Sequence, residues 1–150
     1  FIPWENPKIG YDELDWKFPI KFGMTRQAVY KELGKPTSAN PAVDQIGTIE
    51  SFPSLGVRIY FDPDGIVREL RFIEFYTKKS AVSILDGVDQ FSNFGDFSSH
   101  LGEPTSTVAH LNMCIWNKNG LIIGAIFPPG DGQVVALKIK PGEKIKAGVY

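Results

Sequence analysis

The hexapeptide LGKPTS at residues 33–38 returns as LGEPTS at 101–106, with five identities in six positions. In each copy a glycine follows an apolar residue at a predicted helix end. A proline two places later bars further helix, so one stop chemistry is written twice. The agreement continues downstream in order. Gly56, Val57 and Ile59 answer Gly120, Leu121 and Ile123; Asp64-Gly65 answers Asp131-Gly132; IVRELRF (66–72) answers QVVALKI (133–139). Extra residues around Pro128, Pro129 and Gly130 fall in a turn, where added length costs little. Internal self-similarity of this order constrains a fold more than local propensity does. It predicts one α+β domain over 1–150: two tandem helix-plus-meander repeats forming a mainly antiparallel sheet with helices on one face. The expected divisions are an N-terminal arm (1–19), repeat one (20–77), repeat two (78–140) and a tail (141–150).

Local signals supply the elements. Thr25 is the expected N-cap of a helix through Leu33, with Ala28, Val29 and Leu33 on one face. TIESF (48–52), VRIYF (57–61) and IVRELRFIEF (66–75) are rich in β-branched and aromatic residues and predict strands. Asp62-Pro63-Asp64-Gly65 joins the last two as a hairpin, proline presetting one dihedral and glycine accepting positive φ. Residues 77–87 fit a helix or a strand equally well. Phe91, Phe94, Phe97 and Leu101 fall at helical spacing with Ser92 as the expected cap and Gly102 and Pro104 as the stop. Strands are predicted at 110–116, 121–127 and 133–140. The opening residues form an irregular arm with one helical turn near 11–16, docked by Trp4 and Trp16.

Composition narrows the classes of function. With 150 residues, 43% of them hydrophobic and 13% aromatic, the chain has material for one core, and disorder throughout is excluded. Sixteen basic residues against 17 acidic ones leave a net charge of -1, so no global field draws the chain to nucleic acid or an anionic membrane. The longest apolar run, 121–127, contains Gly124 and is far shorter than the roughly 18 residues a membrane-spanning helix requires. A lone Cys114 cannot close an intrachain disulfide, and no Cys/His spacing suits zinc. No metal and no cofactor are expected. The single cysteine fits a cytoplasmic location; a leader preceding Phe1 would make it periplasmic instead.

The residues also speak against catalysis. His110 and Cys114, four places apart on one predicted strand face, are separated by about 13 Å and cannot form a dyad there. Ser98-Ser99-His100 lacks a nucleophile elbow. Asp62 and Asp64 resemble the start of a calcium loop, but no glutamate stands at its twelfth position. Phosphate-binding glycine motifs are absent. Lys138, Lys140, Lys144 and Lys146, beside Tyr150, are read as protection of a terminal sheet edge in preference to a nucleic-acid site.

The sheet itself remains. If helices cover Val57, Ile59, Phe61, Leu70 and Phe72, alternation sends Arg58, Tyr60, Glu69, Arg71, Ile73 and Phe75 to the other face. Ile122, Gly124, Ala136 and Lys138 are the counterparts in the second half, with Trp116 nearby on a parity the sequence leaves open. Tyrosine and arginine among charges are typical of protein-binding surfaces. The candidate partner-binding residues are therefore Arg58, Tyr60, Glu69, Arg71, Phe75 and Trp116. The competing expectation is that the arm, through Trp4 and Trp16, covers this face.

The stretch IKFGMTRQAVYKELGKPTS (20–38), followed by GVRIYFDPDGIVRELRF (56–72), resembles the helix-and-meander repeat of the small outer-membrane-assembly lipoproteins of the SmpA/OmlA type. It also resembles the β-lactamase inhibitory proteins, which carry two such repeats in tandem. The matching pieces are Gly23-Met24-Thr25, the Leu33-Gly34-x-Pro36 stop and the Asp64-Gly65 hairpin. Similar tandem domains occur among immunity proteins that neutralise bacterial toxins. The resemblance spans most of residues 20–140, although Cys114 alone cannot form the inhibitory family's intrachain disulfides. It implies a non-enzymatic domain that binds a toxin or enzyme stoichiometrically, the alternative being a structural envelope-assembly module. Oligomeric state and the partner's identity stay open.

Overall fold

Val57, Ile59 and Phe61 recur at every second position, and a strand with that period buries one face. The computed structural model describes residues 9–43 and 46–142 and contains ten main elements. In chain order they are α1 (Arg26–Leu33), β1 (Ser38–Pro41), β2 (Thr48–Phe52), β3 (Val57–Phe61), β4 (Val67–Phe72), α2 (Phe94–Leu101), β5 (Ser106–Val108), β6 (Met113–Lys118), β7 (Leu121–Ile126) and β8 (Ala136–Pro141). The strands form one sheet in the order β1-β2-β3-β4-β8-β7-β6-β5, and every neighbouring pair is antiparallel.

This arrangement corrects the expected α+β architecture of two tandem helix-plus-meander repeats. The molecule is mostly β, a single eight-stranded antiparallel sheet with only two short helices. Each helix is eight residues long, because a capped start and a glycine stop lie that close together. Thr25 Oγ1 accepts from Ala28 N to open α1, while Asn93 and Asp96 form a reciprocal capping box to open α2, so Asn93 and not Ser92 is the cap. Gly34 (φ 80°, ψ -171°) and Gly102 (φ 78°, ψ -162°) close them in a backbone region essentially restricted to glycine. Two-turn helices cover little area. They bury only Val29, Phe97 and Leu101 fully.

Irregular chain supplies the rest of the cover. Residues 9–24 lay Tyr11, Leu14, Phe18, Ile20 and Phe22 on the sheet, with Phe18 edge-on to Phe72 at 4.9 Å. The arm therefore packs on the same side as the helices, not over the opposite face; Trp4 lies outside the described residues. Trp16 is half-buried against Tyr11 and Phe22. Of residues 77–87, ambiguous in period, Thr77 ends a 3₁₀ turn and the rest form neither helix nor long strand. A buried Gln90 holds them: its Oε1 accepts from Val82 N at 2.7 Å, and its Nε2 donates to the carbonyls of Lys78 and Ser80.

The hairpin between β3 and β4 forms as expected, with Asp62 Oδ1 accepting from Asp64 N and Ile66 N and its Oδ2 paired with Arg68 at 2.7 Å. β8 is not an edge. It lies between β4 and β7, which corrects the edge-guarding role expected for its lysines.

Gly56 (φ 64°) turns the chain from β2 into β3, and a Cβ there would collide with the backbone of Phe75. Gly56→Ala should destabilise the fold by about 1–3 kcal/mol from backbone strain alone, read as a lower urea midpoint at unchanged slope. An unchanged midpoint would show that the Phe75 turn is not held against Gly56.

Candidate functional site

One face of the sheet carries the helices, the arm and the core; among the described residues the other carries no helix, and the turn at Ile46 and Gly47 covers Tyr60 at one end of it. Its composition follows from alternation and register. Reading across from β2, the outward positions are Ile49 and Ser51, then Arg58 and Tyr60, then Glu69 and Arg71, then Ala136, Lys138 and Lys140 on β8. Beyond β8 come Ile122, Gly124 and Ile126 on β7, Met113, Ile115 and Asn117 on β6, and Ser106 and Val108 on β5. The face is thus divided into a charged half over β3, β4 and β8 and an apolar half over β5 to β7.

The expected site residues separate into two groups. Arg58, Tyr60, Glu69 and Arg71 stand together on the outer face as alternation predicts, Arg58 opposite Arg71 and Tyr60 opposite Glu69. Arg58 pairs with Glu74. Arg71 pairs with Glu69, which Lys138 Nζ also approaches at 3.4 Å. Glu69 is 3% exposed, so its carboxylate serves the two cations and is not presented to a partner. Tyr60 is likewise buried, its hydroxyl donating to the carbonyl of Ile46; burial raises its pKa, with Asp62 and Glu69 adding to the shift.

Phe75 and Trp116 do not join this face. β4 ends at Phe72, and a 3₁₀ turn over Phe75–Thr77 swings Phe75 into the core against Phe72, at a ring distance of 5.4 Å. Trp116 lies opposite Ile123, on the covered side, stacked on Phe97 at 5.9 Å with its Nε1 donating to Gly102 O. Both are fully buried. The outward residues of β6 are instead Met113, Ile115 and Asn117, a shift of one place that a short strand's alternation leaves open until its register is known.

A second cluster escaped the sequence reading. Glu50 is 2% exposed and lies on the covered side of β2, in phase with Phe52. Arg26 Nε reaches its Oε2 at 2.8 Å, Thr48 Oγ1 donates to the same oxygen at 3.1 Å, and Tyr30 Oη donates to Oε1. The Arg26 guanidinium also covers the Phe61 ring at 4.9 Å. With both carboxylate oxygens engaged, Glu50 is a poor general base and a good tether of α1 to the sheet. Its signal was present: in TIESF the glutamate shares parity with phenylalanine, not with serine.

The remaining reactive groups are dispersed. His110 sits in an exposed 3₁₀ turn, Ala109–Leu111, before β6 begins, so it does not share a strand with Cys114. Desolvation raises the Cys114 thiol pKa, opposite to the direction a nucleophile needs. Ser99 Oγ and His100 Nδ1 meet helix carbonyls within α2. Among the described residues no three His, Cys, Asp or Glu side chains cluster to hold a metal ion. No helix is long and apolar enough to cross a membrane. Lys144, Lys146 and Tyr150 lie outside the described residues.

No family model matches the chain, and no curated protein does. Among solved structures it is similar to a DUF4309 family protein (YjgB) from Bacillus subtilis, with 14% identity, a TM-score of 0.47 and 78% of each chain covered. It is also similar to a cysteine-rich secretory protein (SAV1118) from Staphylococcus aureus, with 9% identity, a TM-score of 0.57, and 92% of this chain but 47% of that one covered. The second likeness is one of fold alone, and the chain spans about half the length of that protein. Neither is described as an inhibitory, assembly or immunity protein.

The Glu50 cluster has a measurable consequence. Burial, then the hydrogen bond to Glu50, pushes the Tyr30 pKa from 10.0 up to about 12. The unfolded chain therefore loses this proton first, so the stabilisation is complete below pH 10 and disappears as pH rises through about 12. Melting temperature should fall across that interval, and less steeply in Tyr30→Phe; Tyr11, also raised to about 12, accounts for part of the remaining slope. Identical slopes in the two proteins would show that Tyr30 is not coupled to the fold.

Proposed function

We propose that this chain is a non-enzymatic protein-binding module that engages its partner through the outer sheet face, in the manner of a stoichiometric inhibitor or immunity protein. The observation that carries this reading is the pattern of β7. An antiparallel sheet with one face in water ordinarily alternates apolar inward and polar outward. In LIIGAI the inward positions are Leu121, Ile123 and Ala125, and the outward ones are Ile122, Gly124 and Ile126. It is the pattern of a strand buried on both faces, in a sheet covered on one. Ile115, Met113 and Val108 extend this half-buried apolar surface across the next two strands, and a contiguous apolar surface on an uncovered sheet face is what a contact site presents.

The charged half supports the same reading. Arg58 and Arg71 are held in place by carboxylates, so they meet a partner with little ordering cost, while Lys140 projects freely into solvent. Among the described residues, the charged groups of this face are engaged in ion pairs with one another or stand alone in solvent, which supports binding in preference to acid, base or nucleophilic chemistry. Tyr60 and Arg71 are poor positions for a clean test, since one is buried beneath the Ile46 carbonyl and the other neutralises Glu69.

Ile122→Asp is the cleaner variant, because Ile122 is outward and lies directly opposite Lys140, which compensates the new charge. Immobilised protein should retain a partner from lysate of its source, and the purified partner should titrate to one equivalent with any activity of its own abolished there. Ile122→Asp should weaken the complex about tenfold or more, or ~1.4 kcal/mol, at an unchanged melting temperature. A captured protein bound equally by the variant would remove the outer face from the reading, and a partner whose activity survives at one equivalent would remove inhibition.

A further inference from the structure

We propose that Gly124 is the anchor point of the outer face, where an acidic partner segment seats an apolar side chain on bare backbone while its carboxylates meet Lys138 and Lys140. This deepens the protein-binding reading and rests on it. Gly124 stands in the middle of β7, with Ile115 opposite on β6 and Lys138 opposite on β8. Its backbone is not in the left-handed region. A Cβ built there would meet nothing nearer than Met113 Sδ at 3.7 Å and Lys138 O at 3.9 Å, ordinary van der Waals distances.

The fold therefore does not need a glycine at this position, and it is less stable for having one. A strand-interior glycine is destabilising relative to alanine through chain entropy, and it offers no side chain to pack. Gly56 contrasts, since there the backbone of Phe75 fills the space and the requirement is internal. At Gly124 the vacant space opens outward. Met113 Sδ lies at its rim, Ile122 and Ile126 flank it along the strand and Ile115 stands across it, and a strand glycine with no internal cause is what close approach by another chain demands.

Charge identifies the chemistry of that chain. The outer face presents Arg58, Arg71, Lys138 and Lys140 against Glu69 and Glu74, although the whole molecule carries -1. Lys138 adjoins the Gly124 opening and Lys140 adjoins Ile122. A complementary segment places an apolar side chain at Gly124 and acidic groups one strand away.

The test titrates the isotopically labelled full chain with an octapeptide of alternating leucine and glutamate, read by amide chemical shifts. The comparison ligands are a leucine-lysine octapeptide, an oligouridylate and phosphatidylglycerol vesicles. The acidic peptide should shift Gly124, Ile115, Ile122 and Lys138 selectively. Gly124→Val should weaken its binding about tenfold at an equal or higher melting temperature, Gly124→Ala should do so to a smaller extent, and Lys140→Glu should weaken it without a stability change. The proposal is overturned if the acidic peptide does not bind or shifts other residues, or if Gly124→Val binds it unchanged. Lower stability in both Gly124 variants would also overturn it, as would tighter binding of a comparison ligand. Self-association of the wild type that Gly124→Val abolishes would assign the face to a second copy and overturn it too. A captured partner sensitive to Ile122→Asp but indifferent to Gly124→Val removes only the anchor; indifference to both removes the binding face as well.

Discussion

Everything in this molecule turns on the pairing of β4 with β8. Three residue pairs make the join: Leu70 with Ile139, Arg71 with Lys138, and Phe72 with Leu137. They connect segments far apart in sequence, so the loop-closure entropy must be offset by what the join buries. On the covered side it buries Leu70, Phe72, Leu137 and Ile139, all nearly inaccessible. On the outer side it sets Arg71 directly beside Lys138, a like-charged cross-strand pair that is unfavourable by itself. Glu69 offsets the conflict by pairing with both cations, accepting a hydrogen bond from Arg71 and lying 3.4 Å from Lys138 Nζ, which explains a buried carboxylate on this face. The same join turns two four-strand segments into one sheet and places the lysines of β8 at its middle.

The strands β2 and β3 were the most legible in the sequence, whereas β4 is shorter than expected and β8 begins later. VRIYF and TIESF are strands over their full predicted lengths because their β-branched and aromatic residues are both good strand formers and core material. Glycine and proline after each helix mark real ends. The outermost strands, SANP and STV, were unreadable: polar and proline-containing, they owe their conformation to pairing with β2 and β6. The cover over 78–90 had no period to read, because Gln90 and not a regular ladder satisfies its backbone. The architecture was misjudged for a related reason. Matching helix-stop phrases suggested two separate repeats, each led by a short helix, whereas the strands that follow them join in one sheet and the two helices are only caps on it.

Of the candidate surface, the charged half was legible and the apolar half only partly so. Arg58, Tyr60, Glu69 and Arg71 follow from alternation within one well-defined hairpin, and the bulge between Tyr60 and Phe61 falls beyond them without inverting their parity. Phe75 fails because alternation was carried past the true strand end into a turn. Trp116 fails because β6 starts after a 3₁₀ turn whose length no propensity specifies. Parity errors of one residue move a side chain from solvent to core, so tryptophan and phenylalanine, the residues most prized as binding anchors, proved here to be packing.

The border between the two halves of the outer face bears on what such a surface accepts. An apolar sheet face alone would stack on any other apolar face, its own copy included. Lys138 and Lys140 run along that border on the central strand, and a second copy would have to bring its own lysines into the same contact region or bury them unpaired. An acidic partner meets no such penalty. The cations thus contribute discrimination more than affinity, since exposed pairs are individually weak while a mismatched charge buried at an apolar contact is costly. That division of labour, with apolar β5 to β7 supplying contact area and β8 deciding which partner is admitted, follows from the one antiparallel pairing that puts β8 between β4 and β7.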